Sequence, residues 1–143
     1  MGVSDLILRE AREDDFEFYY QLKSEKSAVY WSGFESAPDR DRLLDFWNKY
    51  VIMDNPERKI LILQSNNEAL GYLQAVFDKT SIGLSMGIRE AKRGYGFGKQ
   101  IIGLAVNFFA ECLDFYCYVR EDNISSMNCF TSNGFRETGE LYP

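Results

Sequence analysis

Arg93-Gly94-Tyr95-Gly96-Phe97-Gly98 is the stretch that decides the fold of this chain. Three alternate glycines follow an apolar run and open a segment of helical spacing. Without Cβ atoms the backbone curls tightly and turns its N–H groups outward. Those amides, with the positive end of the following helix, make a site for an anion. Arg93 at its mouth and Lys99 at its far end add charge-assisted donors, so the chemistry points to a phosphate or pyrophosphate. Two common phosphate motifs fail at named positions. A G-x-G-x-x-G fingerprint starting at Gly94 needs glycine where Lys99 stands. A P-loop ending at Gly98-Lys99 needs glycine at Arg93 and Ser or Thr at Gln100. What remains is R-x-x-G-x-G, carried by Arg93, Gly96 and Gly98, with Gly94, Tyr95 and Phe97 between them. A plain turn before a helix is the alternative reading of these glycines.

Downstream, Ile101, Ile102, Ala105, Phe108, Phe109 and Cys112 share one face of a helix over 99–113. Upstream, continuous or alternating apolar runs predict strands over 59–64, 70–77 and 81–88. Turns at 65–68 and 78–80 are short enough to make them an antiparallel meander. The N-terminal part opens with a strand over 6–9. A helix follows to about residue 24, with Asp14-Asp15 as its N-cap and Glu17 in its first turn. Residues 25–38, with Val29-Tyr30-Trp31 in their midst, form an irregular loop. Pro38-Asp39 opens a second helix through Leu43, Phe46, Trp47, Tyr50 and Val51. After the glycine segment and its helix come a strand over 115–119, a helix over 123–132 capped by Asp122 or Asn123 and closed by Asn133-Gly134, and a last strand over 135–140. The order β-α-α-β-β-β-α-β-α-β describes one mixed α/β (α+β) domain spanning 1–143.

Composition narrows the function. The net charge is −6 and the pI about 4.7, which disfavours nucleic acid and suits a neutral or cationic partner. The chain has no histidine, which excludes Ser-His-Asp and Cys-His mechanisms and any His-ligated metal. Cys112, Cys117 and Cys129 lack CxxC spacing and are expected to be buried free thiols of a reducing compartment. No signal peptide or membrane-length apolar run is evident, so a cytoplasmic protein without membrane contact is expected.

With these residues in view, the chain resembles the GNAT acetyltransferases. Their Q/R-x-x-G-x-G/A signature is matched by Arg93, Gly96 and Gly98, and their N-x-x-S/A … G-F segment by Asn123 through Ser126 to Gly134-Phe135. The likeness is strong over 81–137 and extends to the N-terminal half by element order. Leu8-Arg9-Glu10-Ala11 and Tyr30-Trp31-Ser32 resemble members acting on protein N-termini, ribosomal proteins among them, or on amino sugars.

The resemblance implies a mostly antiparallel sheet splayed between its fourth and fifth strands, with about four helices around it. Acetyl-CoA is the implied cosubstrate, with no metal. The segment from Arg93 to Lys99 would grip the diphosphate, and Met86, Gly87 and Ile88 would pair with the pantetheine arm. The Ile88 N–H would polarise the thioester, and Asn123 with Ser126 would meet the CoA arm. Tyr30 and Trp31 would cap the pocket of a primary amine, which attacks directly. The chain departs from the family at two positions. Phe130 stands where many members carry a tyrosine acid, and Tyr118 where a glutamate is frequent. Tyr118 and Tyr142 are the local phenols left to return a proton. Little chain follows Phe135, so the family's further strand is short, absent or supplied by a second copy, which favours a homodimer. The acceptor classes that remain are a small amine, an amino sugar and a protein N-terminus. A non-catalytic CoA-binding module and a nucleotide-phosphate binder are the competing functions.

Overall fold

The computed structural model of the protein describes residues 5–111 and 114–140. Strand β1 (Leu6–Glu10) leads through a single turn to helix α1 (Phe16–Lys23), α2 (Lys26–Ser32) and α3 (Arg40–Trp47). A wide π turn, Asn48–Ile52, continues α3. Strands β2 (Arg58–Ser65), β3 (Glu68–Asp78) and β4 (Ser81–Ile88) follow, then α4 (Phe97–Phe108), β5 (Asp114–Tyr116) and α5 (Ile124–Thr131). The sheet order is β1-β2-β3-β4-β5. The expected meander is present: β1 to β4 are antiparallel neighbours, and Asn66 and Asn67 take the left-handed conformations that a tight β2–β3 turn needs. β5 runs parallel to β4, because α4 carries the chain back before it pairs.

The apolar run of β2 is buried on both faces and splits between two cores. Leu61 and Leu63 point with Leu73, Ala75, Ile82, Leu84 and Ile88 towards Ile101, Ile102 and Ala105 of α4. Ile60, Ile62 and Tyr72 point to the other face, against Phe16, Tyr19, Leu22 and Trp47 of α1 and α3. The sheet is therefore a filled layer between helices.

Five expectations need correction. Residues 25–38 are not one irregular loop, because α2 occupies Lys26–Ser32 and stops at left-handed Gly33, φ 81°. The helix expected over 99–113 begins earlier, at Phe97, and stops at Phe108. The strand expected over 115–119 pairs only at Asp114–Tyr116. Among the described residues no strand spans 135–140. The Phe135 N–H bonds the Phe130 carbonyl and Gly134 is left-handed, so the chain is used to cap α5, and Gly139, also left-handed, breaks any extension. Asp15 does not cap α1 with its side chain as expected. Its carboxylate instead takes both Nη atoms of Arg9, at 2.8 and 2.9 Å, and the Arg12 N–H. Asp39 does cap α3, accepting from the Arg42 N–H.

Candidate functional site

The sheet opens into a fork. Pairing between β4 and β5 covers Ser81–Asp114, Ile82–Phe115 and Gly83–Tyr116, while β4 runs on to Ile88. The Tyr116 ring lies at the base of the fork, where a Cβ on Gly83 would be 2.7 Å from its Cζ. Beyond that point one edge of β4 has no strand partner among the described residues. Which groups face it follows from the antiparallel alternation with β3. The Arg89 N–H bonds the Leu70 carbonyl, so Arg89, Gly87 and Ser85 turn their peptide groups to β3. Leu84, Met86 and Ile88 therefore turn theirs towards β5 and into the gap. The Gly87 carbonyl, 2.4 Å from where a Gly71 Cβ would sit, confirms the alternation. Met86 and Ile88 thus offer a ligand their backbone, whereas Gly87 offers only its bare face, itself covered by Tyr72 and Leu22.

At the far end of β4 stands the glycine loop. Gly94 (φ 87°) and Gly96 (φ 83°) are both left-handed, and nothing lies within 4 Å of a Cβ built on either. This is an open cradle of backbone that no side chain fills. Gly96 is the N-cap of α4 and supplies no side-chain cap, so the first amides of the helix point outwards without a partner from the cap residue. Gly98 has another role: its missing Cβ lets Cys129 Sγ pack at 2.8 Å from that position, seating α4 on α5. Arg93 is exposed, and its Nε donates to the Ile88 carbonyl at 3.2 Å, which ties the loop to the end of β4. Tyr95, Gly96, Lys99, Gln100 and Asn133 line a groove of about 580 Å³ along α4. A chain of anionic and amide groups, as in CoA, fits this run of cradle, helix end and free strand edge.

On the β5 side, Asn123 caps α5, its Oδ1 accepting from the Ser126 N–H at 3.1 Å. Phe130 lies in the α4 core, its ring 5.1 Å from that of Phe135. Tyr118 is exposed and its ring centre lies 5.9 Å from that of Tyr116. Burial, then the charge of Asp78 and the neighbouring Tyr118, raise the Tyr116 phenol above its usual range. Burial pushes the Cys117 thiol up to about 11 and raises Cys129 as well. Both thiols are free but only half-buried, against the expectation of full burial. Tyr142 and Cys112 lie outside the described residues.

Sequence reasoning missed three contributors here: Tyr116, Arg120 and Glu25. Arg120 Nη1 donates to the Tyr30 carbonyl at 3.2 Å, and the Tyr30 hydroxyl donates to Asp122 Oδ2 at 3.3 Å. Glu25 Oε1 accepts from the Glu90 N–H at 3.1 Å. The alternation Tyr116-Cys117-Tyr118-Val119-Arg120, polar or aromatic at every second position, was the available signal for the first two. Tyr30 and Trp31 stand on α2 with their rings against Arg120, and Glu90 stands in a turn just past β4.

Comparison with known proteins agrees with this geometry. A family model described as acetyltransferase (GNAT) domain matches residues 5–136. No curated protein sequence matches the chain. Among solved structures, spermidine N-acetyltransferase from Vibrio cholerae, in complex with CoA and spermine, is similar with a TM-score of 0.84 at 21% identity, over 97% of this chain and 88% of that one. Aminoglycoside acetyltransferase AAC(6')-Ib, in complex with coenzyme A, gives 0.78 at 19% identity, over 94% and 86%. A possible acetyltransferase from Clostridium difficile 630 gives 0.76 at 17% identity, over 96% and 95%.

Proposed function

The chain belongs to the GNAT family of acetyltransferases, and from that premise we propose that it moves the acetyl group of acetyl-CoA to a primary amine held at the mouth of the β4–β5 fork. The observation that carries this reading is the free edge of β4, with Met86 and Ile88 turned into the gap beside the open Gly94–Gly96 cradle. When bound, acetyl-CoA supplies the activated acetyl thioester. The amides of the segment from Gly94 to Lys99, helped by Lys99 and Arg93, hold the diphosphate. Met86 and Ile88 align the arm, and the Ile88 N–H is placed to stabilise negative charge on the thioester oxygen. Asn123, with Ser126, orients the arm from the β5 side.

The chain mainly brings two reactants together, which is worth a large part of the barrier. Two protons must also move: one leaves the attacking ammonium and one reaches the departing thiolate. Tyr118 is the phenol proposed for the second, since it is exposed with its ring against Tyr116, whereas Phe130 is buried in the core. Tyr30 and Trp31 border the acceptor. A small amine, an amino sugar and a protein N-terminus all satisfy these features. The solved relatives that bind spermine or aminoglycosides support the first two. β5 ends the sheet order, a position that would suit pairing with a second copy, and the reading sets the chain in an intracellular, acetyl-CoA-rich compartment.

Incubation with acetyl-CoA and an amine panel, following thiol release, tests the proposal. Release with at least one amine is expected. Phe130 favours a second reading, a CoA-binding module without turnover. Tight CoA binding with no release from any amine would establish that reading instead.

A further inference from the structure

Helix α2 is a crossbar over the mouth of the fork. Glu25, at its start, holds the Glu90 N–H just past β4, and Tyr30, near its end, holds Arg120 and Asp122 past β5. Five residues of helix rise about 7.5 Å, so this short element is long enough to link the ends of the two diverging arms.

At the β5 end the crossbar closes around a cation. The Arg120 guanidinium lies 4.6 Å from the centre of the Tyr30 ring and 5.6 Å from that of Trp31. The two rings meet edge to face, 4.7 Å apart at 77°. Asp122 completes the enclosure, with Oδ1 3.2 Å from Nε and Oδ2 3.4 Å from Nη2. Two electron-rich rings and a carboxylate around one planar cation are the components of an aromatic cage. The cage is open to water: the Arg120 and Asp122 side chains are 41% and 55% exposed, so its occupant can leave without unfolding. It also sits at the right place for an extended acceptor. Arg120 is four residues beyond Tyr116, about 13 Å of extended chain from the base of the fork.

We propose that Tyr30, Trp31 and Asp122 form a binding site for a second, non-reacting cationic group of the acceptor, and that Arg120 is the chain's own placeholder in it. The proposal rests on the reading of the fork as the acetyl-transfer site. The acceptor class it names is an amine carrying a further ammonium or guanidinium group several bonds from the reacting nitrogen. Such a molecule places its neutral nitrogen in the fork and its distal cation on Tyr30 and Trp31, while Arg120 swings to solvent. A monoamine displaces nothing and gains nothing. Glu121 and Asp122 give the mouth the sign of charge that attracts such a molecule.

The test compares a linear aliphatic diamine with the monoamine of the same length, on the full chain. Binding is followed by Trp31 fluorescence, since Trp47 is fully buried in the other core and reports little. The same pair of amines is then compared by thiol release. Arg120→Gln empties the cage, and the ratio of diamine to monoamine affinity should rise about two- to fivefold, the range of an exposed cation–aromatic contact. Arg120→Lys, which keeps a weaker competing cation, should fall between wild type and Arg120→Gln and serves if the glutamine variant folds poorly. Trp31→Leu should abolish the diamine-dependent signal. A folded Arg120→Gln or Arg120→Lys protein whose ratio is unchanged or lowered would overturn the placeholder role. Diamine binding at Trp31 without thiol release from any amine would keep the cage and sink the acetyl-transfer reading. Thiol release that never distinguishes diamine from monoamine would do the reverse.

Discussion

The sheet is built as a firm block, β1 to β4, and a loosely attached fifth strand. In the block each strand is bonded to its neighbour over five or more residues, and Leu61, Ile62, Leu63 and Leu73 are fully buried between two helical layers. Among the described residues β5 has three pairings, all to β4; beyond it Cys117, Val119 and Phe130 pack on the α4 core, and exposed polar contacts tie Arg120 and Asp122 to α2. The contrast separates two tasks. On the reading proposed above, the cofactor would be met by backbone on well-packed elements, which costs little side-chain ordering when it binds. The acceptor would be met by exposed side chains on the β5 side of the fork, where exchange of contacts is cheap.

The largest expected effect comes from breaking the block. A Cβ on Gly71 would stand 2.4 Å from the Gly87 carbonyl oxygen and 2.7 Å from Ile88 Cδ1. The first of these is backbone in a paired strand and cannot yield locally. Gly71→Ala should therefore cost about 3 kcal/mol, the upper range of overpacking, read as a lowered urea midpoint with unchanged slope. A wild-type midpoint would show that β3 and β4 slide past one another, and the distinction between block and arm would lose its basis.

A middle-sized effect is expected at the cradle. Gly96→Val forces a branched residue into a left-handed conformation, yet no neighbour obstructs the new side chain. Folding should survive, with a strain of about 1–2 kcal/mol. The valine would project into the open space assigned to the diphosphate, so CoA affinity should fall about tenfold or more, near 1.4 kcal/mol. Thermal shift with and without CoA measures it, and a folded Gly96→Val protein that keeps wild-type affinity would remove the cradle from the cofactor site.

The same contrast explains what could be foreseen. The meander, the α4 crossover and the glycine loop are local patterns: runs of period two, a run of period 3.6, and glycines at positions that need a left-handed backbone. The cap at Asn123 and the left-handed turn at Gly94 and Gly96 are legible for that reason. α2 was missed because seven residues with mixed polarity carry little periodic signal, although Gly33 marked its end. The clasp joining Tyr30 to Arg120 and Asp122 spans about ninety residues and depends on where two loops meet, which no local pattern encodes. β5 looked longer because Cys117 and Val119 continue its apolar alternation. They do pack on the α4 core, but without a neighbouring strand to pair with. Phe130, where the family resemblance implies a tyrosine, packs its ring on Phe135 in the core.

The smallest effect distinguishes the two sides by pH, through one arginine–carboxylate pair on each. On the block, Asp15 is buried. Burial alone would raise its carboxyl, but the Arg9 hydrogen bonds and the Arg12 amide outweigh that and hold it below the usual carboxylate range. A folded-state value below the unfolded one contributes stability that is fully present above the unfolded value, roughly pH 4, and is lost as pH falls through the folded one. On the arm, Asp122 is also lowered, chiefly by its hydrogen bond to Arg120, but it stands in water, where such pairs add little to stability. Urea midpoints measured between neutral pH and about pH 2 should thus fall on the acid side for wild type and equally for Asp122→Asn. In Arg9→Met the buried carboxylate keeps its desolvation and loses its partner, so its folded-state value is no longer held down: the midpoint should be lower at neutral pH, and this pair's part of the acid limb should flatten. An acid limb that flattens in Asp122→Asn and stays wild-type in Arg9→Met would place the anchoring pair on the arm, and with it the rigidity here assigned to the block.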